Sequence, residues 1–303
     1  MTEMARTEVG FDGRAGLLRD VVIILKPRIA LSIAASALGG IAITPGDVPE
    51  LSKIAVFSVA VFLAAGAAGA LNHWYEAELD AGMKRTAGRP FASGRLSATG
   101  LWLCGILILL CSSIALAAFA ANTWAALYTF LGAITYGVVY TIWLKQRTWL
   151  NIVIGGLAGS FAVLAGSAMV NPELSTASIL LAIVLFLWTP PHFWSLAIAA
   201  HADYERTGIP MLPVVYGDKI AAQAILAHTV LLSLIALLPA AHGMGLIYTI
   251  FAVAGGSIFC ATGLRLVREP TRRTAIQNFL ASLVQLVLLL AGIMFDRLLE
   301  FSL

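Results

Sequence analysis

The chain alternates between long apolar stretches and short polar segments, and this pattern predicts membrane-spanning helices. Nine stretches have about the 20 apolar residues that an α-helix needs to cross a bilayer. They cover residues 21–43, 54–76, 99–120, 122–143, 149–170, 177–200, 219–240, 244–264 and 276–298. We expect all nine to be helical, because backbone groups in lipid must find partners within their own segment. The predicted fold is all-α, with a polar tail over residues 1–19 and a single transmembrane domain over residues 20–303.

The composition supports a membrane protein and excludes other classes. Of the 303 residues, 60% are apolar and 12% are charged, against about 45–50% and about 25% in soluble proteins. The chain has too few polar side chains to cover the surface of a soluble enzyme. The same composition excludes a disordered chain and a nucleic-acid-binding protein. The three cysteines lie in apolar stretches without a CxxC pair, so neither a disulfide framework nor a structural zinc site is expected.

Lysine and arginine are distributed unevenly between alternate loops. All but two of the 19 fall in the N-terminal region or in the segments after spans 2, 4, 6 and 8, and the exceptions are Lys53 and Arg297. Basic residues are retained on the cytoplasmic side of a membrane. The bias therefore predicts a cytoplasmic N-terminus, an external C-terminus and a multi-pass protein of a bacterial-type inner membrane.

A first polar cluster begins at the end of span 2. Asn72, Glu76 and Asp80 recur every four residues, so they share one face of a helix. Three oxygen-bearing side chains on one face suit a hard cation such as Mg²⁺. Three basic residues follow: Lys84, Arg85 and Arg89. The alternative is a helix end leaving the membrane with paired acids and bases, but polar groups within an apolar run are costly and usually functional.

A second polar cluster lies at the end of span 6, which the charge bias places on the same side. Pro190 and Pro191 predict a kink or break, with non-helical backbone and His192 directed toward a cavity. Further along, Asp203 or Glu205 can add a carboxylate to the site. The alternative for His192 is a satisfied packing residue.

The two clusters together predict an anion site at the cytoplasmic mouth of a helical bundle. Carboxylates alone repel an anion, whereas carboxylates with bound Mg²⁺ and a ring of basic residues hold a diphosphate. A diphosphate beside an apolar cavity points to an isoprenoid diphosphate. The residue chemistry leaves the acceptor open.

The first cluster resembles the first acidic motif of the UbiA superfamily of intramembrane prenyltransferases. Its residues read Asn72-xxx-Glu76-xxx-Asp80-xx-Met83-x-Arg85-Thr86-xx-Arg89-Pro90. The resemblance runs from about residue 20 to 298. Most members carry aspartates where His73 and Glu76 stand. This departure, with residues 191–194 (PHFW) and 208–213 (GIPMLP), resembles the protohaem IX farnesyltransferase (haem O synthase) branch.

The resemblance implies a reaction and a set of roles. Farnesyl diphosphate and haem B, with water, give haem O and diphosphate, in a lipid bilayer and with Mg²⁺ as cofactor. The implied metal ligands are Asn72, Glu76, Asp80 and Asp203. The implied diphosphate-binding residues, besides the three basic residues above, are Lys26, Arg28, Tyr140, Lys145, Arg147 and Asn151. His192 is left with three roles: orienting water, contacting a haem propionate or ligating the iron. A haem A synthase or oxidase assembly protein is a further expected partner.

Two other functions compete with this interpretation. A sister branch prenylates small aromatic acceptors or quinone precursors, but Glu76 and the PHFW segment disfavour it. A transporter would place its polar residues near the midplane, in an inverted repeat. Here the polar residues collect at one face of the membrane, so transport is disfavoured.

Overall fold

The structure, a computed structural model, describes residues 16–300, and its regular secondary structure in this range is entirely helical, without strands. The α-helices are α1 (Gly16–Ile24), α2 (Pro27–Ile43), α3 (Leu51–Tyr75), α4 (Ala77–Ala81), α5 (Gly100–Ala120), α6 (Thr123–Ile134), α7 (Asn151–Gly155), α8 (Leu157–Val170), α9 (Thr176–Ala199), α10 (His201–Arg206), α11 (Leu212–Tyr216), α12 (Asp218–Ile235), α13 (Leu246–Arg268) and α14 (Arg272–Glu300). A π-helix, Thr135–Leu144, continues α6, and a 3₁₀ turn, Leu238–His242, follows α12.

The predicted all-α fold is confirmed, and its spans lie close to the predicted stretches. Eight helical segments in residues 16–300 are long and apolar enough to cross a membrane, and the bent pair of α1 and α2 makes a ninth if it is counted as one span. Of the predicted polar tail, residues 1–15 lie outside the described residues. Residues 16–19 already belong to α1, so that helix begins before the predicted apolar stretch.

The bend between α1 and α2 places Lys26 at a break in the helix. The two helices meet at 44°, and Lys26 has a φ of 49°, the only positive φ of a non-glycine residue among residues 16–300. Pro27 disfavours the right-handed helical conformation in the residue before it, and proline is itself well suited to the first position of a new helix. Strained backbone of this kind is concentrated at functional sites.

The long helices form a ring. α2 packs against α3 and α8, α3 against α5, α8 against α6 and α9, and α9 against α12 and α14. α13 packs along α14, and α14 returns to contact α2. Arg206 Nε donates to the carbonyl of Gly82 at 3.1 Å, so the segments after α3 and α9 lie together. We call this side of the ring, with α4 and α10, the polar end.

The predicted break at the paired prolines is wrong. α9 runs without interruption from Thr176 to Ala199, with Pro190 and Pro191 inside it. Each proline removes only one backbone donor. Both rings are buried, and packing against neighbouring helices supports a proline-containing helix in a membrane. His192 therefore lies on regular helix rather than on non-helical backbone.

α2 and α8 approach each other through glycine. A Cβ on Gly166 would overlap the carbonyl group of Ala37, and a Cβ on Gly40 would overlap that of Val163. Small residues allow such close contacts between membrane helices. We expect Gly166→Ala to destabilise the protein by about 2 kcal/mol or more, because the atoms in the way are backbone and overpacking typically costs about 1–3 kcal/mol. Thermal unfolding in detergent measures the effect.

The control for this prediction is Gly105→Ala in α5. Gly105 is exposed, and a Cβ there would meet no atom within 4 Å. Alanine is the better helix former by about 1 kcal/mol, so this variant is expected to unfold at the wild-type temperature or above. Equal behaviour of the two variants would contradict the close contact between α2 and α8.

Candidate active site

The three oxygen-bearing residues of the first cluster lie together at the junction of α3 and α4. Asn72 belongs to the last turn of α3, Glu76 joins the two helices and Asp80 belongs to α4. Their exposed fractions are 2%, 1% and 2%, whereas Glu78 is exposed. The three residues lie where α3 ends and α4 begins, and their shared role stays a prediction. Such burial requires compensating partners for the polar groups.

Each of these residues contacts one cationic side chain, and two of the three cations come from distant parts of the chain. The Lys26 ammonium donates to Asn72 Oδ1. Lys145 Nζ donates to Glu76 Oε2 at 2.5 Å.

The third pair lies within the segment after α3. Arg89 Nη1 donates to Asp80 Oδ2 at 2.6 Å. Lys26, Arg89 and Lys145 are close enough for their charges to interact. Three separate chain segments therefore converge on this cluster.

One oxygen of the cluster has no partner. Glu76 Oε1 is buried and makes no hydrogen bond, although a buried carboxylate oxygen is normally satisfied. An unpartnered carboxylate oxygen beside Asn72 and Asp80 fits a divalent cation that prefers oxygen ligands.

The second acidic segment does not join this group directly. Asp203 Oδ1 accepts a hydrogen bond from Arg206 Nη2 at 2.7 Å. Within residues 16–300, no three His, Cys, Asp or Glu side chains converge closely enough to hold a metal. The participation of Asp203 in a metal site stays a prediction.

The π-helix lines the cluster with aromatic rings that the sequence analysis only partly identified. Tyr136 and Tyr140 stack with their ring centroids 5.8 Å apart. The Lys26 ammonium donates to the Tyr136 hydroxyl at 3.0 Å, and Asn72 Nδ2 donates to Thr141 Oγ1 at 3.1 Å. Tyr136 and Thr141 were missed. Their signal in the sequence is hydroxyl groups five residues apart in an apolar run, which is the spacing of a π-helix.

Arg85 and Tyr204 connect the cluster with the segment after α9. Tyr204 is buried, and the positive charge of Arg85 lies close to its phenol. Burial raises the pKa of the Tyr204 phenol above its usual value, and the positive charge of Arg85 opposes that shift. The phenol therefore stays protonated at neutral pH, as a neutral neighbour of the acidic cluster.

Not every basic or polar residue in the predicted set faces the cluster. Arg28 and Lys84 are exposed. Arg147 is also exposed, and its Nη1 donates to the carbonyl of Trp143 at 2.6 Å. Asn151 is buried, and its Nδ2 donates to the carbonyl of Lys145 at 3.2 Å. Asn151 therefore positions the backbone of Lys145.

His192 lies between α9 and α14. The residue is 8% exposed, and its ring is stacked between Trp188 and Phe279, with centroid distances of 4.3 and 4.4 Å. Its Nδ1 lies 2.7 Å from Ser282 Oγ. These contacts are with α9 and α14, and none of them is with the acidic cluster.

The charges at the cluster favour an anionic ligand. Two carboxylates, Glu76 and Asp80, are accompanied by four cations. The cations are Lys26, Arg85, Arg89 and Lys145. Arg85 is exposed and the other three are partly buried, and the excess of positive charge suits phosphate oxygens. Because Lys26, Arg89 and Lys145 now contact carboxylate and amide oxygens, an incoming diphosphate can take over part of their hydrogen bonding.

The chain is similar in sequence to known prenyltransferases. The UbiA prenyltransferase family matches residues 33–289. Protoheme IX farnesyltransferase 2 of Paramagnetospirillum magneticum is 52% identical over 282 residues, covering 93% of this chain and 98% of that protein. Protoheme IX farnesyltransferase of Rhizobium etli is 39% identical over 286 residues, covering 92% of this chain and 90% of that protein.

Solved structures show the same fold. A structure of digeranylgeranylglyceryl phosphate synthase has a TM-score of 0.76 at 17% identity, covering 92% of this chain and 98% of its own. A UbiA homologue from Archaeoglobus fulgidus, bound to GPP and Mg²⁺, has a TM-score of 0.70 at 17% identity, covering 91% of this chain and 99% of its own. At these identities the likeness concerns the fold.

Proposed function

The chain belongs to the UbiA prenyltransferase family and is a haem-farnesylating prenyltransferase, and we propose that the buried cluster around Glu76 is its diphosphate site. The enzyme transfers a farnesyl group from farnesyl diphosphate to a vinyl group of haem B, with addition of water, and gives haem O and diphosphate. The observation that carries this function is the 52% identity over 93% of the chain to a protein named for this reaction. The cluster supplies the matching chemistry.

The residues of the cluster fit a Mg²⁺ ion with a diphosphate. Asn72, Glu76 and Asp80 would hold the metal, and the unpartnered Glu76 Oε1 supports this assignment. Asp203 would be a further ligand. Bound Mg²⁺ neutralises charge on the diphosphate oxygens and makes the diphosphate a better leaving group.

The chain's own cations complete the binding of the leaving group. Lys26, Arg89 and Lys145 surround the cluster and would donate charge-assisted hydrogen bonds to the diphosphate. Preorganised donors at the place where negative charge develops lower the barrier to breaking the allylic C–O bond. Tyr136 and Tyr140 keep this site partly closed to water.

The acceptor requires no strong general base. The electron-rich vinyl group attacks the farnesyl carbon as the C–O bond breaks, and the cation formed beside the porphyrin is captured by water, which then loses a proton. His192 lies away from the acidic cluster, which agrees with separate sites for the donor and the acceptor. Donor chemistry belongs to the Glu76 cluster and acceptor binding belongs elsewhere.

The reaction is tested by mass-resolved haem analysis of purified protein in lipid with haem B, farnesyl diphosphate and Mg²⁺. The expected product is heavier than haem B by one farnesyl group plus the elements of water. EDTA is expected to prevent its formation and added Mg²⁺ to restore it. Prenylation of an added aromatic acid without any haem product would contradict the haem acceptor and favour the sister branch.

We also propose that the polar end faces the cytoplasm of a bacterial-type cell. The lysine and arginine residues in the segments after predicted spans 2, 4, 6 and 8 support this orientation. Cysteines introduced at Ser97 and Glu173, both exposed and on opposite sides, provide the test. A membrane-impermeant maleimide added to intact spheroplasts is expected to label the cysteine at 173 and to spare the one at 97. The reverse labelling would contradict this orientation.

A further inference from the structure

An ion pair outside the acidic cluster connects two segments that each supply the cluster with a cation. Asp20 belongs to α1, and Arg95 belongs to the segment between α4 and α5. Arg95 Nε donates to both carboxylate oxygens of Asp20 at 3.1 Å, and Arg95 Nη2 donates to Asp20 Oδ1 at 3.1 Å. A bidentate pair of this kind fixes the relative orientation of its partners as well as their distance.

The two partners of this ion pair differ in their exposure to water. The exposed fraction of the side chain is 11% for Asp20 and 45% for Arg95. Most exposed ion pairs contribute little, and bidentate arginine geometry is the exception. Apolar packing supports the same connection, because Ile24 of α1 and Phe91 belong to one buried cluster with residues of α3. The ion pair and the apolar cluster therefore join the same two segments.

Arg95 also holds the backbone next to Arg89. Its Nη2 donates to the carbonyl of Gly88 at 3.1 Å, and its Nη1 donates to Ser93 Oγ at 3.0 Å. Gly88 directly precedes Arg89, whose Nη1 donates to Asp80 Oδ2. One guanidinium therefore fixes the segment from which Arg89 reaches the cluster.

Asp20 has the corresponding position on the other side of the cluster. It lies in α1, and Lys26 stands at the 44° bend that follows this helix. The backbone nitrogen of Lys26 donates to the carbonyl of Ile23 at 3.2 Å, so Lys26 is still bonded to the end of α1. A displacement of α1 would therefore move the ammonium that donates to Asn72.

The cations that these two segments carry repel each other. Lys26 and Arg89 are near enough for their charges to interact, and Lys145 adds a third positive charge. Glu76 and Asp80 offset part of this repulsion. Because like charges favour separation of the segments that carry them, a connection outside the cluster keeps the site assembled before an anion binds.

We propose that Asp20 and Arg95 are positioning residues that preassemble the diphosphate site. The inference rests on the proposed function and extends it to two residues outside the cluster. Their ion pair holds α1 and the segment between α4 and α5 together, so that Lys26 and Arg89 are placed to contact the same diphosphate. Donors that are already in place bind a ligand without the cost of first being brought together.

Asp20→Asn tests this role, because asparagine keeps the size of the side chain and removes its charge. We expect the KM for farnesyl diphosphate to rise about 10-fold, as an assembled fraction of about one tenth in the variant requires. At saturation the diphosphate itself brings the two cations together, so kcat is expected to stay within about 2-fold of the wild type. The KM for haem B is expected to be unchanged. Steady-state kinetics in lipid nanodiscs measures all three, and an unchanged KM for farnesyl diphosphate would overturn the inference.

Glu50→Gln is the matched control for Asp20→Asn. Glu50 forms an exposed ion pair with Lys53 at 3.9 Å, at the opposite end of α3 from the cluster. Breaking this pair is expected to leave both KM values unchanged. An equal rise in the KM for farnesyl diphosphate in the two variants would contradict a specific role for Asp20.

Arg95→Lys tests the other partner of the ion pair. Lysine keeps the positive charge but lacks the planar fork that binds both oxygens of Asp20 together with the carbonyl of Gly88. The variant is expected to raise the same KM. The double variant with Asp20→Asn is expected to be no worse than the more affected single variant, since both changes remove one connection. Additive losses would overturn the inference.

Backbone hydrogen exchange detects the assembly without any turnover. In Asp20→Asn, amides of the segment between α4 and α5 are expected to exchange faster than in the wild type, because that segment opens more often. Mg²⁺ with inorganic diphosphate is expected to restore the wild-type rate. Faster exchange that diphosphate does not slow would indicate a purely structural role and would overturn the inference.

The possible failures are distinguishable. A wild-type protein that makes haem product with the same KM for farnesyl diphosphate as Asp20→Asn would overturn the inference and leave the proposed function intact. A wild-type protein that makes no haem product would contradict the proposed function, and hydrogen exchange with inorganic diphosphate would still decide the role of the ion pair. If loss of helical circular dichroism shows that Asp20→Asn is misfolded, Arg95→Lys decides, because its site is half exposed.

Discussion

Glu76→Gln is expected to lower turnover of farnesyl diphosphate by about 10³-fold. Glu76 is 1% exposed, with one oxygen bound to Lys145 and the other without a partner. Glutamine keeps the size of the side chain but removes the charge that would hold Mg²⁺ and balance Lys145. Loss of a single electrostatic element at a developing charge typically costs about 10²–10³ in kcat, and a metal ligand belongs at the upper end.

Glu78→Gln is the matched control, because Glu78 is exposed two residues along the chain. It is expected to retain activity within about 3-fold of the wild type, since an exposed carboxylate contributes little. Turnover is measured as haem product per enzyme by mass-resolved analysis at saturating Mg²⁺. Comparable activity of the two variants would remove Glu76 from the proposed site.

A second variant, Asp80→Asn, tests the same site with less expected destabilisation of the protein. Removing one partner of a buried ion pair typically destabilises a protein by about 3–5 kcal/mol, and Lys145 is largely buried. Asp80→Asn removes the carboxylate partner of Arg89, whose side chain is 22% exposed and therefore more accessible to water than that of Lys145. It is expected to be inactive yet folded, as judged by its thermal unfolding in detergent. An active Asp80→Asn protein would contradict a metal-binding role for Asp80.

Lys145→Gln is expected to raise the KM for farnesyl diphosphate by about 10- to 100-fold. A hydrogen bond to a charged group contributes about 1.5–3 kcal/mol, and about 1.4 kcal/mol corresponds to a factor of ten. Lys145 Nζ lies 2.5 Å from Glu76 Oε2 with only 12% of its side chain exposed, so it would meet a diphosphate in a place that water screens poorly. Steady-state kinetics at saturating haem B measures the change.

Arg147→Gln, two residues away, provides the control for this second prediction. Its guanidinium is exposed and bound to backbone carbonyls of residues 142 and 143. The KM is expected to stay within about 3-fold of the wild type. A larger effect at Arg147 than at Lys145 would show that the conformation of this segment with substrate differs from the one seen here, and would contradict the assignment of Lys145.

Local features of the structure were predicted from the sequence alone. Eight of the apolar stretches correspond to helices long enough to cross a membrane, and the first corresponds to the bent pair of α1 and α2, because an apolar run of this length has no stable alternative to a helix in lipid. The four-residue spacing of Asn72, Glu76 and Asp80 predicted that they lie together, and all three are buried at the junction of α3 and α4. The motif around these residues identified the family, and the match over residues 33–289 confirms it.

Contacts between distant segments were decided by the tertiary structure. Lys145 and Arg147 look equivalent along the chain, yet only Lys145 reaches Glu76, 69 residues away. Lys145 directly follows the π-helix, whereas Arg147 turns back onto the carbonyls of residues 142 and 143. Likewise, paired prolines remove donors locally, but packing around α9 decided that the helix continues. Periodicity acts over one turn of a helix, whereas the partner of a buried charge depends on which helices meet.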